Sequence, residues 1–529
     1  MFVRAKASGD YRYLQVVENH REGKRTVQRV VCTLGRVDEL MSSGATDALL
    51  RSLARFGQQV KVVEEYGQGH LEAGAVKKVG PDLVFGRLWR ELGVGKILDD
   101  LLQGRRFEFP VERALYLTVL HRLFDPGSDR ACERWKRDVH VSGTEDLELH
   151  HLYRAMRWLG EAKDEVEEAL FVRRRDLFTE LSLVFFDTTS IYFEGQGGET
   201  LGQYGHSKDH RPDLKQMVVG AVLTADGRPV CCQMWPGNHT DVEALLPVVD
   251  GLRKRFALQQ VCWVADRGMI SQKTIEGLEG RQMKYILGAR MRRTQEVRQV
   301  LLQAEGNYEE VGDNLRVREV WIGDRRYIAC YNPKQAAKDA ADREAIIHSL
   351  QERLGQGAGG LIGNKGYRKF LRVNKDAVRI DEKKIATEAG YDGKFVLRTN
   401  STLPACEVAV QYKRLQEVEQ FFRSVKSLLR TRPVYHHWDD TIRGHVFCSF
   451  LALVLMHELR GRLAAKGCHV EWSDLCQDLE ALAEVEVREG DQWYRLRTPL
   501  QGVAGKVLQA VGVAVPPPVT PITNVVPRN

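Results

Sequence analysis

Two aspartates end runs of residues that are otherwise apolar. Asp187 closes LSLVFFD, and Asp266 closes QVCWVAD. A carboxylate on a strand that is apolar on both faces is costly unless it is paired, bound to a metal, or placed at the strand's end. If two such strands are neighbours, both carboxylates reach one rim of a sheet, and hard divalent cations favour such oxygen ligands. The plainer reading makes each Asp a cap for the turn that follows it, Thr188-Thr189-Ser190 or Arg267-Gly268. A third carboxylate comes from YKRLQEVEQFFRSVKSLLR. There Val418, Phe421, Phe422, Val425, Leu428 and Leu429 make one helical stripe, and Tyr412, Glu419, Arg423, Lys426 and Arg430 make another. Glu417 lies about 160° around the helix from Glu419. An ordinary amphipathic helix with a Glu419–Arg423 pair has the same pattern. Three carboxylates around two metal ions suit in-line phosphoryl transfer, with the neighbouring cations on a phosphate backbone.

Such residues need a scaffold that brings distant segments together. From about residue 181 the apolar period becomes strand-like. LSLVFFD, QVCWVAD and MKYILGAR read as strands, and MVVGAVLTADGRPVCCQMW as a hairpin turning at Asp226-Gly227. Thr240-Asp241-Val242-Glu243 is a capping box opening a helix of about fifteen residues, and Ser271 caps the next helix. The order strand, strand, strand, helix, strand, helix, strand predicts an α/β fold with an RNase H-like core, a mixed sheet with flanking helices. This core covers 181–290 and 401–465, interrupted by an α/β insertion subdomain at 291–400. Residues 1–80 read as an N-terminal β-hairpin around Glu22-Gly23 plus a linker, and 81–180 as a helical region whose outer Lys and Arg suit DNA or a purely structural bundle. Residues 466–529 read as a short helix, a hairpin around Glu489-Gly490, a last helix and a disordered tail, VPPPVTPITNVVPRN.

The bulk properties set wide bounds. A chain of 529 residues exceeds one core. Its 78 basic and 71 acidic residues leave +7, which permits an anionic partner without requiring one. None of the ten cysteines has Cys-x-x-Cys spacing, so they read as small buried hydrophobes in a reducing compartment. No apolar leader and no spanning run is evident, which predicts a cytoplasmic, nucleoid-associated protein. In HSKDHRPD, Lys208 and Arg211 either grip phosphates near Asp187 or lie on an exposed loop. Arg267 either reaches substrate phosphate or orients Asp266. His206 and His210 have the spacing of helical zinc ligands but lack a third partner. Trp438 reads either as a platform for an unpaired base or as a core aromatic.

FFDTTS, VADRGM and YKRLQEVEQFFRSVKS resemble the DDE transposases of bacterial insertion sequences, within the IS-four-like superfamily and its IS-sixteen-thirty-four-like branch. That family's C-terminal signature is Tyr, two residues, Arg, three residues, Glu, six residues, Lys. Tyr412, Glu419 and Lys426 fall on it, while the Arg position is Leu415, with Arg414 and Arg423 nearby. LGQYGHSKDHRPDLKQ, PGNHTD, YDGKFVLRTN, RPVYHHW and TLGRVDEL extend the likeness over roughly residues 1–515. The resemblance implies Asp187, Asp266 and Glu419 as catalytic metal ligands, with Mg²⁺ or Mn²⁺ as cofactor and two ions expected. It implies Lys426, Tyr412, Arg423, Arg267, Lys208, Arg211 and Arg430 on DNA. It further implies cleavage of double-stranded DNA at terminal inverted repeats, strand transfer into target DNA, and a homodimer in the synaptic complex. Competing readings are a DNA-binding protein without cleavage activity and an RNase H-like nuclease.

Overall fold

The computed structural model describes residues 2–22, 25–54, 71–174, 183–256, 261–292, 294–302, 308–354, 365–374, 377–489 and 492–522. The turns expected at Glu22-Gly23 and Glu489-Gly490 and the linker before residue 71 fall wholly or partly outside these residues. The chain forms two compact units. One comprises Met1–Val79, Glu480–Gly502 and Val515–Asn529, and the other Gly80–Leu479 and Val503–Ala514.

The first unit holds two antiparallel sheets. Phe2–Ser8, Tyr11–Glu22 and Arg25–Arg36 form one. The other runs in the order Val519–Ile522, Gln492–Arg497, Ala483–Glu489, Leu71–Lys78. The expectation of a disordered tail is therefore corrected for Val519–Ile522, which pairs with Gln492–Arg497. It is an edge strand, the one position in a sheet where a proline such as Pro521 is readily accommodated.

The second unit is built on a nine-stranded mixed sheet. From its middle to one edge it runs in the order Lys284–Gly288, Cys262–Ala265, Leu183–Tyr192, Gln216–Thr224, Pro229–Pro236. The first three of these strands are mutually parallel, and the last two add antiparallel. Helix Asp241–Phe256 covers one face, where Ala244, Val248 and Leu252 meet Phe186, Trp263 and Tyr285 in a single core. The segment 291–400 departs from the subdomain expected of it. Glu309–Glu310, Arg316–Ile322, Arg325–Tyr331 and Lys394–Thr399 continue the same sheet, joined through pairing of Lys394–Thr399 with Lys284–Gly288. Among the described residues, helix Gln295–Leu302 and the stretch between Tyr331 and Lys394 lie outside it, the latter as helix Pro333–Leu354, a small hairpin and two short helices.

A helical layer abuts the edge strand Pro229–Pro236. An exposed edge carries unpaired backbone groups. At Cys232 these are met by buried side chains of helix Lys163–Arg174: Glu167 accepts from the Cys232 N–H at 2.9 Å, and Lys163 donates to its carbonyl at 2.9 Å. At the centre of the layer, helix Asp439–Ala465 crosses helix Leu149–Glu161 so closely that glycine is required on both. A Cβ on Gly160 would lie 1.8 Å from the Asp440 carbonyl oxygen, and one on Gly444 1.9 Å from that of Met156. Helix Asp439–Ala465 is long and apolar enough to cross a membrane, but its apolar window is 83% buried within the protein, as in the core helix of a globular domain.

Candidate active site

The strand register puts the two aspartates side by side. Phe186 pairs with Ala265 on the adjacent parallel strand, so Asp187 and Asp266 are the next residues at the same end of the sheet. The Cys262–Ala265 strand stops there, while the Asp187 strand continues to Tyr192. Asp187 accepts a hydrogen bond from the Thr188 N–H at 2.7 Å. Burial raises its carboxyl to about 6, Lys208 opposes that shift, and the charges of Asp266 and Asp241 reinforce it. Asp266 accepts from the Tyr412 hydroxyl at 3.1 Å. Burial, followed by the Asp266 charge, pushes the Tyr412 phenol well up, so it serves as a neutral donor. Gly288 makes room for that phenol: a Cβ there would come within 2.3 Å of it.

Asp241 is a third carboxylate at this rim, which sequence reasoning assigned only to a helix cap. Glu243 does close the capping box, accepting from Thr240 N and Oγ1. Asp241 turns instead to the Asp187 strand, accepting from Thr188 Oγ1 at 2.6 Å and pairing with Lys208 Nζ at 3.1 Å. Lys208 also donates to the Thr188 carbonyl and hydroxyl, both at 2.8 Å. The donor set at the rim is all oxygen and fits a hard cation. The space between the carboxylates is kept open by Gly268, where a Cβ would lie 3.4 Å from Asp241 Oδ2 and 4.0 Å from Asp266 Oδ2.

Glu419 is exposed on helix Leu415–Arg423, which packs on the Asp187 strand and buries Leu415, Val418 and Phe422. No hydrogen bond or ion pair engages it among the described residues, so the Glu419–Arg423 pair is not formed. Among the described residues no three His, Cys, Asp or Glu side chains are gathered closely enough to enclose a metal, and Glu419 is not in contact with the two aspartates. Its stripe nonetheless leads to the rim at both ends. Seven residues before it, Tyr412 touches Asp266; seven after it, Lys426 pairs with Asp209 at 2.7 Å, next in sequence to Lys208. Glu417 turns away, pairing with Arg414 and approaching the Gly227 turn. Leu415, at the family's Arg position, is buried.

The cations divide into two groups. Lys208, Lys426 and Arg211 are engaged within the chain, Arg211 by Asp213 at 2.8 Å. Arg267, Arg423 and Arg430 are exposed. Lys426 lies in a π-helical turn, Ser424–Leu428, a local insertion that often marks functional positions. Just beyond it, a cavity of about 700 Å³ is lined by Tyr153, Arg430, Arg432, Tyr435, His436 and Trp438 among others. Trp438 is 58% exposed and Tyr435 61%, so the core reading of Trp438 does not hold.

The N-terminal segment 3–65 matches the N-terminal domain of IS1634 family transposases, and residues 179–455 match the transposase DDE domain. A comparison with curated proteins gives no match. Among solved structures the chain is similar to the Mos1 transposase in a paired-end complex with the left transposon end, at 13% identity and a TM-score of 0.15. That likeness covers 36% of this chain and 57% of that one, so the chain spans little more than half the length of this relative.

Proposed function

The chain belongs to the DDE transposases, in the IS1634 family, and from that membership we propose that it cuts double-stranded DNA at the terminal inverted repeats of an insertion sequence and joins the ends to target DNA. The observation that carries this reading is the register Phe186↔Ala265, which aligns Asp187 and Asp266 at one sheet rim. Strand order and direction agree with an RNase H-like core, with its antiparallel hairpin on one side and parallel strands joined through helices on the other. Asp187, Asp266 and Glu419 would hold Mg²⁺ or Mn²⁺, two ions in the working site. A bound divalent cation polarises a phosphoryl oxygen and lowers the pKa of an attacking water or hydroxyl. The chain's own residues supply orientation and charge: Tyr412 fixes Asp266, Lys208 faces Asp187, and Arg267, Arg423 and Arg430 are free to meet phosphates. The DNA-bound form would be a homodimer at paired ends, in the cytoplasm with the nucleoid.

The test is incubation of purified protein with DNA carrying the element's ends, in Mg²⁺ and in Mn²⁺. Nicking at the repeat boundary is expected. Binding to those ends with no nick in either metal would overturn the proposal.

Two consequences are measurable. Tyr412→Phe removes the hydrogen bond to Asp266 and keeps the ring. Loss of such an outer partner typically costs about 10–100-fold in metal affinity or activity. A titration with Mn²⁺ should show a weaker constant with no change in unfolding temperature, and an unchanged constant would remove Tyr412 from the site. The second consequence concerns pH. A carboxylate must be ionised to ligate a metal. With Asp187 raised to about 6, Mn²⁺ affinity should climb as pH passes through 6 and level off above 7 or so. Stability runs the other way. Between the ordinary carboxyl value and about 6 the folded state holds the extra proton, so this group's contribution falls as pH rises across that window. A metal affinity flat from pH 5 to 7 would contradict the assignment.

A further inference from the structure

The segment 365–384 has eight Lys and Arg residues against three carboxylates, a surplus of five in twenty residues, where the whole chain carries +7. It belongs to the part of 291–400 that leaves the main sheet, and none of the proposed site residues lies in it. Its centre is the two-stranded ribbon Leu371–Asn374 and Ala377–Ile380. Alternation along the strands gives the ribbon two unlike faces. Leu371, Val378 and Ile380 pack with Phe370 and with Leu350 of helix Pro333–Leu354. The register places Arg372 directly opposite Arg379, and both are exposed.

Like charges directly opposite on a ribbon are destabilising. Among the described residues no carboxylate pairs with Arg372, Arg379 or the exposed Arg368. Asp381, the nearest described acid in sequence, is committed to capping helix Glu382–Ala389, where it accepts from the backbone of Lys383 and Lys384. Among the described residues the fold thus sets two arginines opposite each other at a cost and pairs neither with a carboxylate. A polyanion with closely spaced charges would neutralise them, and duplex DNA carries one negative charge per about 1.7 Å of its axis.

We propose that this ribbon is a second DNA contact, in which Arg372 and Arg379 together grip the phosphodiester backbone of a duplex. The inference rests on the transposase reading, because that reading makes duplex DNA the partner. The contact is with phosphates and carries no base sequence, so any long duplex is a valid probe.

The test is duplex binding by the full chain across a range of salt concentrations, comparing wild type with the double variant Arg372→Gln and Arg379→Gln. Losing two phosphate contacts should lower the slope of log affinity against log salt by about 1.8. The unfolding temperature should stay the same or rise, since the like-charge pair is gone. The variant Arg372→Lys and Arg379→Lys keeps the charges and should keep the slope, which separates charge from folding damage. Cleavage of the element's ends is scored separately from the salt slope, so failure of the catalytic reading and failure of this one give different results. An unchanged slope in the double Gln variant overturns the proposal. So does an unchanged slope accompanied by a change in oligomeric mass, which would assign the ribbon to a second copy of the chain.

Discussion

Replacing Asp187 with Asn yields a folded protein that still binds DNA and cleaves it at least about a thousandfold more slowly, since metal-borne stabilisation of developing charge amounts to several kcal/mol. The substitution preserves shape and removes charge. Asp187 is desolvated and lies near the charges of Asp266 and Asp241, and together these effects outweigh the opposing Lys208, so its ionised form is costly in the free protein and a bound cation would offset that cost. Asn relieves that repulsion, and the unfolding temperature at neutral pH should therefore hold or increase. The pairing of lost cleavage with undiminished stability separates a metal ligand from a structural cap, whose loss lowers stability by about 1 kcal/mol. Glu419→Gln should give the same loss of cleavage. Because Glu419 is exposed and unpaired among the described residues, that change should leave folding untouched. Gel-resolved nicking with Mn²⁺ and thermal unfolding in parallel decide both cases. Near-normal cleavage by either variant would exclude that residue from the chemistry.

Gly444→Ala should destabilise the protein by about 3 kcal/mol or more, at the upper end of overpacking effects. Intrinsic propensity predicts the opposite sign, since Ala is favoured over Gly in a helix interior by about 1 kcal/mol. Contact overrides propensity here. The added methyl would sit 1.9 Å from the Met156 carbonyl oxygen, and that neighbour is backbone within helix Leu149–Glu161, which cannot rotate aside. Gly160→Ala meets the Asp440 carbonyl oxygen in the same way. Thermal or urea unfolding of the two variants reads the effect directly. A stability equal to or above wild type would mean that the two helices do not cross at these glycines.

The elements nearest the chemistry were legible in the sequence because each has a local signature. Apolar runs closing in Asp gave the two central strands, Asp226-Gly227 gave the hairpin, and the Thr240–Glu243 pair gave the start of its helix. Of the stripe Val418, Phe421, Phe422, Val425, Leu428 and Leu429, four are buried, Val418, Phe422, Val425 and Leu429, the last two beyond the end of helix Leu415–Arg423. What escaped depends on contacts between distant segments. Asp241 occupies the first turn of a helix, where an acid is ordinary, and only the sheet order reveals that Thr188 and Lys208 stand beside it. Residues 291–400 read as an α/β insertion, and nothing local to its strands indicates that Lys394–Thr399 pairs with Lys284–Gly288. Trp438 follows the helix in an aromatic-rich stretch that resembles core, yet it is exposed and lines the cavity with Arg432 and Tyr435.

The four-stranded sheet that joins Leu71–Lys78 to Ala483–Glu489 has a consequence for biosynthesis. Val76 pairs with Val485, a partner 409 positions downstream. At ordinary translation speeds of about 5–20 residues per second, the early strand emerges from the ribosome roughly 20–80 s before its neighbour exists. During that interval its backbone donors and acceptors have no native mate, while the helical layer and the nine-stranded sheet are already being completed. A nascent chain halted before residue 483 lacks Val503–Ala514 of the second unit, and it should protect Gly80–Leu479 from protease and leave Leu71–Lys78 open to cutting.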